Sequence, residues 1–165
     1  MTTALVCLDG YRPGAVLDVA RATLAPSMTW LLLHVSDTRP AQEAAHAFGR
    51  LLGHGPGRKR AADRVDHVVA WNEADVQAAA EEWLVAAGRE AEVVTVRGQP
   101  EREIVRVAEE RGVHLIVLGG GRGHPGRYPG PGPYPLSPVA RFVVDHARTD
   151  VLLLRRYVAE VDRRA

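Results

Sequence analysis

Residues 113–155, VHLIVLGGGRGHPGRYPGPGPYPLSPVARFVVDHARTDVLLLR, constrain this chain more than any other stretch. An apolar run ends abruptly in glycines, a Gly/Pro loop follows, then an amphipathic segment and a second apolar run. Apolar runs without polar alternation are the pattern of strands buried on both faces, and such strands need a parallel sheet covered by helices. A buried strand feeding a glycine loop and then a helix N-terminus is also how open α/β sheets hold phosphate. This loop is long and carries six prolines from Pro125 to Pro138. Whether it still serves an anion is the main functional question the sequence raises.

The rest of the chain repeats the strand–helix alternation. Thr3–Leu8 reads as a short buried strand ending at Asp9-Gly10. Pro13 suits the first turn of a helix whose Val16, Leu17, Ala20 and Leu24 share one face. Met28–Val35 is a second apolar run, and Ala41–Leu52 has helical spacing through Phe48 and Leu51. The glycines and proline of GHGPGRKR, 53–60, predict a loop. Residues 61–88 allow one long helix or two shorter ones, closing at Gly88. Glu92–Val96 is a third strand. Pro100 opens a helix with Ile104, Val105 and Ala108 inward, and Gly112 ends it. Val113–Leu118 is the fourth strand and Val151–Leu154 the fifth; between them a helix from Pro138 places Val139, Phe142, Val143 and His146 on one face. The expectation is one α/β domain over 1–165, a Rossmann-like doubly wound sheet of five parallel strands in the order 3-2-1-4-5 with helices on both faces.

Composition excludes several classes. With 165 residues the chain can bury a core without disulfides or a structural metal. Lys+Arg 21 against Asp+Glu 20 leaves no basic excess, which argues against nucleic acid as a partner. Cys7, the lone cysteine, lies in an apolar run and has no intramolecular disulfide partner. No segment reaches membrane-spanning length, and the start shows no charged region followed by an apolar stretch and cleavage site, so a cytoplasmic protein without a membrane partner is expected. The seven histidines show neither close helical spacing nor an accompanying carboxylate, so no metal site is expected. His34, His114 and His146 fall in or beside core elements, where packing explains them. Trp30, Trp71 and Trp83 likewise follow core positions.

Four blocks of the chain, in order, resemble the universal stress protein domain. They are LVCLDG (5–10), LLHVSD (32–37), GQPEREIVRVAEERGVHLIVLGG (98–120) and SPVARFVVDHARTDVLLLR (137–155). The resemblance implies a Rossmann-like domain, usually a homodimer, with some branches binding ATP and others not. Where ATP is bound, the family motif runs Gly, two residues, Gly, nine residues, then Gly followed by Ser or Thr. Gly120 and Gly123 fit its first half, after Leu118 and Gly119 at the end of the fourth strand. The second half departs: thirteen residues (124–136) precede Ser137, and Pro138 stands where the hydroxyl residue belongs. A shift by one restores Ser137 to the hydroxyl position and puts Leu136 in place of the glycine. Asp9 matches the position that contacts the ribose and phosphate region, and Val35 the residue that lines the adenine. The implied ligand is ATP or another adenine nucleotide, with magnesium.

Each candidate also has a plainer reading. Asp9 could cap a helix, and Arg122 and Arg127 could simply solvate a loop. No nucleophile elbow and no Gly-Lys-Ser/Thr loop occurs, so an enzyme is not expected. Two functions compete. The first is a regulatory domain that binds an adenine nucleotide through Asp9, Val35, Leu118, Gly119, Gly120, Gly123 and Ser137, and acts by dimerising through the last strand, Val151–Leu154, or by contacting an unidentified protein. The second is a nucleotide-free interaction module in which the proline-stiffened loop 119–137 presents Tyr128 and Tyr134.

Overall fold

This computed structural model describes residues 2–8, 13–39, 56–119 and 136–154, and for 56–71 the helical backbone alone. Its elements alternate: β1 (Thr3–Leu8), α1 (Pro13–Thr23), β2 (Thr29–Asp37), α2 (Pro56–Ala87), β3 (Glu92–Gly98), α3 (Pro100–Glu110), β4 (Leu115–Gly119), α4 (Pro138–His146) and β5 (Asp150–Leu154). All strand pairings are parallel and the order is β3-β2-β1-β4-β5. The expected doubly wound sheet is therefore present, and the order reverses between β1 and β4.

The alternation of side chains along each strand divides the interior into two layers. Ala4, Val6 and Leu8 of β1 join Trp30 and Leu32 of β2 and pack under α1 and α2. Leu5, Cys7, Leu31 and Leu33 point the other way, toward α3 and α4. In α1 the four residues predicted inward, Val16, Leu17, Ala20 and Leu24, are all buried. In α3 the inward set is corrected: Ile104, Val107 and Ala108 are buried, while Val105 is half-buried at the rim. Val107 lies three residues from Ile104, so it occupies the centre of the same stripe.

Residues 53–60 do not form a loop throughout, because α2 starts at Pro56. Proline is favoured at a first helical position, where its missing N–H has no intrahelical partner anyway, and the Arg and Lys that follow are good helix formers. The ambiguous 61–88 region belongs to this one helix of 32 residues. The predicted 41–52 helix lies outside the described residues. Strand limits also move. β2 runs on to Asp37, because Ser36 and Asp37, although polar, keep pairing with Arg97 and Gly98. Val113 is buried but precedes β4.

Two tryptophans tie α2 to the sheet. Trp30 and Trp83 stack with centroids 6.1 Å apart and planes 12° from parallel. Trp83 Nε1 donates to Asp18 Oδ1 of α1 at 2.8 Å. The Arg89 guanidinium sits 3.9 Å over the Trp30 ring while its Nη2 donates to Met28 O. Both rings are thus packing residues, as expected; the side chain of Trp71 lies outside the described residues. His146 is not a core residue: it is exposed, stacks on Phe142 and meets the Phe142 carbonyl through Nδ1. His114 is exposed too, and its Nδ1 accepts the Thr3 N–H at 3.3 Å.

Gly112, just past α3, has φ +56, and a Cβ placed there meets nothing within 4 Å. Left-handed backbone is therefore the sole obstacle to a side chain at this position. Gly112→Ala should destabilise the fold by about 1 kcal/mol, read by urea unfolding; an unchanged midpoint would mean the turn relaxes at no cost.

Candidate functional site

In a parallel sheet with right-handed crossovers, the strand C-termini and the N-termini of the helices that follow them share one edge. Here that edge carries Leu8, Asp37, Gly98, Gly119 and Leu154. Val35 lies on β2 two residues before its end, paired in register with Val96, half-buried against the α3/α4 layer. Leu118 faces the same layer and is buried, and Gly119 closes β4 opposite Leu154. Asp9, Gly120 and Gly123 lie outside the described residues, as do Arg122, Arg127, Tyr128 and Tyr134. The structure thus brings Val35, Leu118 and Gly119 to one edge, with Ser137 at the start of the helix beyond.

Ser137 is the N-cap of α4, and its hydroxyl accepts the Ala140 N–H at 3.0 Å. A hydroxyl therefore does stand at this helix N-terminus, but it already serves the helix as a cap. Pro138 is the first helical residue and has no N–H to offer.

Sequence reading missed a second feature of this edge. Arg39 donates through Nε and Nη2 to Asp37, the shortest contact being 2.7 Å, and through Nη1 to Glu101 Oε1 at 2.9 Å. One guanidinium thereby joins the end of β2 to the first turn of α3. Burial pushes the Asp37 carboxyl up, but hydrogen bonds from the Arg39 side chain and backbone outweigh it and hold the group below its ordinary value. The other Glu101 oxygen, Oε2, is buried and accepts no hydrogen bond. The partners stand 62 residues apart in the chain, and no local pattern links them.

The sequence profile of the universal stress protein family matches residues 2–155. The chain belongs to the universal stress protein family. Solved structures of low identity share its fold. The universal stress protein UspA of Lactobacillus plantarum is 19% identical, with 93% of this chain and 97% of that one covered at a TM-score of 0.66. A family member from Arabidopsis thaliana with AMP bound is 15% identical, with 93% and 91% covered at 0.56. A universal stress protein from Pseudomonas aeruginosa is 14% identical at 0.51, and this chain matches 51% of its length. A search of curated proteins finds no match to this sequence.

On the other face of β2, this family member buries His34 and Ser36 toward α2. Beside them Glu73 of α2 receives both arms of Arg97 from β3, at 2.8 and 2.9 Å. Those bonds hold the Glu73 carboxyl below its ordinary value, with smaller contributions from Ser36 and His34. Among the described residues no three His, Cys, Asp or Glu side chains gather closely enough to hold a metal ion. No described helix is long and apolar enough to cross a membrane.

Two tests follow from these environments. Burial pushes the Cys7 thiol up, so the thiolate is scarce and the group inert. Alkylation should occur only at the rate of unfolding, and rapid labelling of the native protein would contradict this placement. Because Glu73 has a lowered folded pKa, its contribution to stability is full above its unfolded value of 4.5 and is lost as pH falls through the lower folded value. Glu73→Gln should therefore melt below wild type at neutral pH and converge with it in acid, whereas parallel curves would remove Glu73 as the source.

Proposed function

We propose that this chain is a regulatory domain that binds an adenine nucleotide at the C-terminal edge of its sheet, around Val35, Leu118 and Gly119, with Asp9, Gly120, Gly123 and Ser137 completing the site. Membership of the universal stress protein family, with Val35 half-buried at this edge, carries the reading. The AMP bound to the Arabidopsis thaliana relative supports it. The output is assembly or partner contact, not turnover. Among the described residues β5 has a neighbour on one side alone, and its half-buried Val151, Leu152 and Leu153 leave an apolar edge that a second copy would cover.

Calorimetric titration with ATP and magnesium, with Asp9→Ala as the control, tests the binding. Heat corresponding to micromolar affinity, about −8 kcal/mol, that vanishes in the variant is the expected result. Binding that survives in Asp9→Ala would move the site away from this edge. Light scattering on the full chain should give the mass of two copies, and a single-chain mass would remove the β5 assembly.

The commitment of the Ser137 hydroxyl to Ala140, together with Pro138, favours the second reading, a nucleotide-free module that contacts a protein through residues 119–137. Absence of heat with any adenine compound would select it.

A further inference from the structure

The C-terminal end of β2 is tied together by bonds that need no ligand. The Thr38 N–H donates to Gly98 O at 3.3 Å, which holds this end against the end of β3. The Arg39 N–H donates to Asp37 Oδ1 at 3.0 Å, and the Arg39 side chain folds back onto the same carboxylate. Its Nε reaches Oδ1 at 2.9 Å and its Nη2 reaches Oδ2 at 2.7 Å, a two-pronged contact that favours guanidinium and carboxylate in one plane. Nη1 donates to Glu101 Oε1 in the first turn of α3 at 2.9 Å. The guanidinium is thus fixed by its edges to two elements.

Side chains two apart on a strand share a face. Asp37 therefore stands next to Val35, one step nearer the end of β2, on the side covered by α3 and α4. Ile104, Val107 and Ala108 seat α3 on that same side. A guanidinium that spans Asp37 and Glu101 lies over the β2–α3 corner, just outward of Val35. It is also the most open member of the triad: 40% of the Arg39 side chain is exposed, against 32% for Asp37 and 16% for Glu101.

With its edges bonded to carboxylates, the broad surface Arg39 offers is the face of its plane. Such planes stack on aromatic rings, nucleobases included. Charge selects a neutral ring over a phosphate, because two carboxylates surround this one cation. A side chain already held in place also loses little rotamer freedom when a ligand arrives. We infer that, on the adenine reading above, Arg39 is a base-binding residue: its fixed guanidinium plane stacks on an adenine ring that lies against Val35.

Calorimetric titration of the full chain with adenosine, and with ATP and magnesium, compares wild type, Arg39→Lys and Glu101→Ala. Lysine keeps the charge but has no plane, so Arg39→Lys should weaken both ligands by a similar factor, about tenfold. Glu101→Ala leaves the guanidinium on Asp37 and should change either constant by less than about threefold. Half-exposed ion pairs contribute modestly to stability, so both variants should fold, which circular dichroism checks. Unchanged adenosine affinity in Arg39→Lys would overturn the stacking, as would a loss confined to ATP, the mark of a phosphate contact. Equal losses in the two variants would overturn it as well, because the bridge would then act only by holding α3. A wild type that binds neither compound would remove the adenine reading itself, and the stacking with it.

Discussion

A strand buried on both faces has no water to satisfy its backbone, so every N–H and C=O must find a neighbouring strand. β1 meets this requirement by pairing with β2 on one side and β4 on the other, and its Ala4, Leu5 and Val6 are fully buried. Both layers of the core are built on it: Ala4 and Val6 serve the α1/α2 side, Leu5 and Cys7 the α3/α4 side. Because β1 is central, the chain must reverse its winding beside it. That reversal opens the crevice in which ligands of open α/β sheets bind. The position of the candidate site is thus a consequence of how one apolar hexapeptide satisfies its backbone.

The same edge shows two opposed uses of a helix N-terminus. An amide that caps its own helix stabilises the fold, and it is then unavailable to a ligand. Ser137 and Gln99 both draw first-turn amides back into their own helices. The Asp37–Arg39–Glu101 bridge adds rigidity to the mouth by joining β2 to α3, although a half-exposed ion pair of this kind contributes modestly to stability.

The fold was legible because parallel strands lack polar alternation, so Thr3–Leu8 could be read to the residue. Elements whose character changes along their length were harder. β2 begins with an apolar run and finishes with Ser36 and Asp37, and nothing in those two residues announces that they still pair with β3. Pro56 reads in sequence as part of a loop, because proline punctuates both loops and helix starts. The layout of the edge was legible through family resemblance, since Val35, Leu118 and Gly119 stand at strand ends. The Arg39 bridge was not, because it depends on a strand end and a helix start 62 residues apart meeting in space. The commitment of the Ser137 hydroxyl was equally invisible, since a serine before a proline can face the helix or a ligand.

The tryptophan pair lies at the opposite end of the sheet from the candidate site, where β2 begins and α2 finishes. Two nearly parallel, stacked indoles 6.1 Å apart share their electronic excitation, and the Arg89 charge rests on one of them. That coupling exists while α2 is seated on β2 and vanishes when they part. The chain therefore carries a built-in optical gauge of that single contact, remote from the ligand edge and separable from events there.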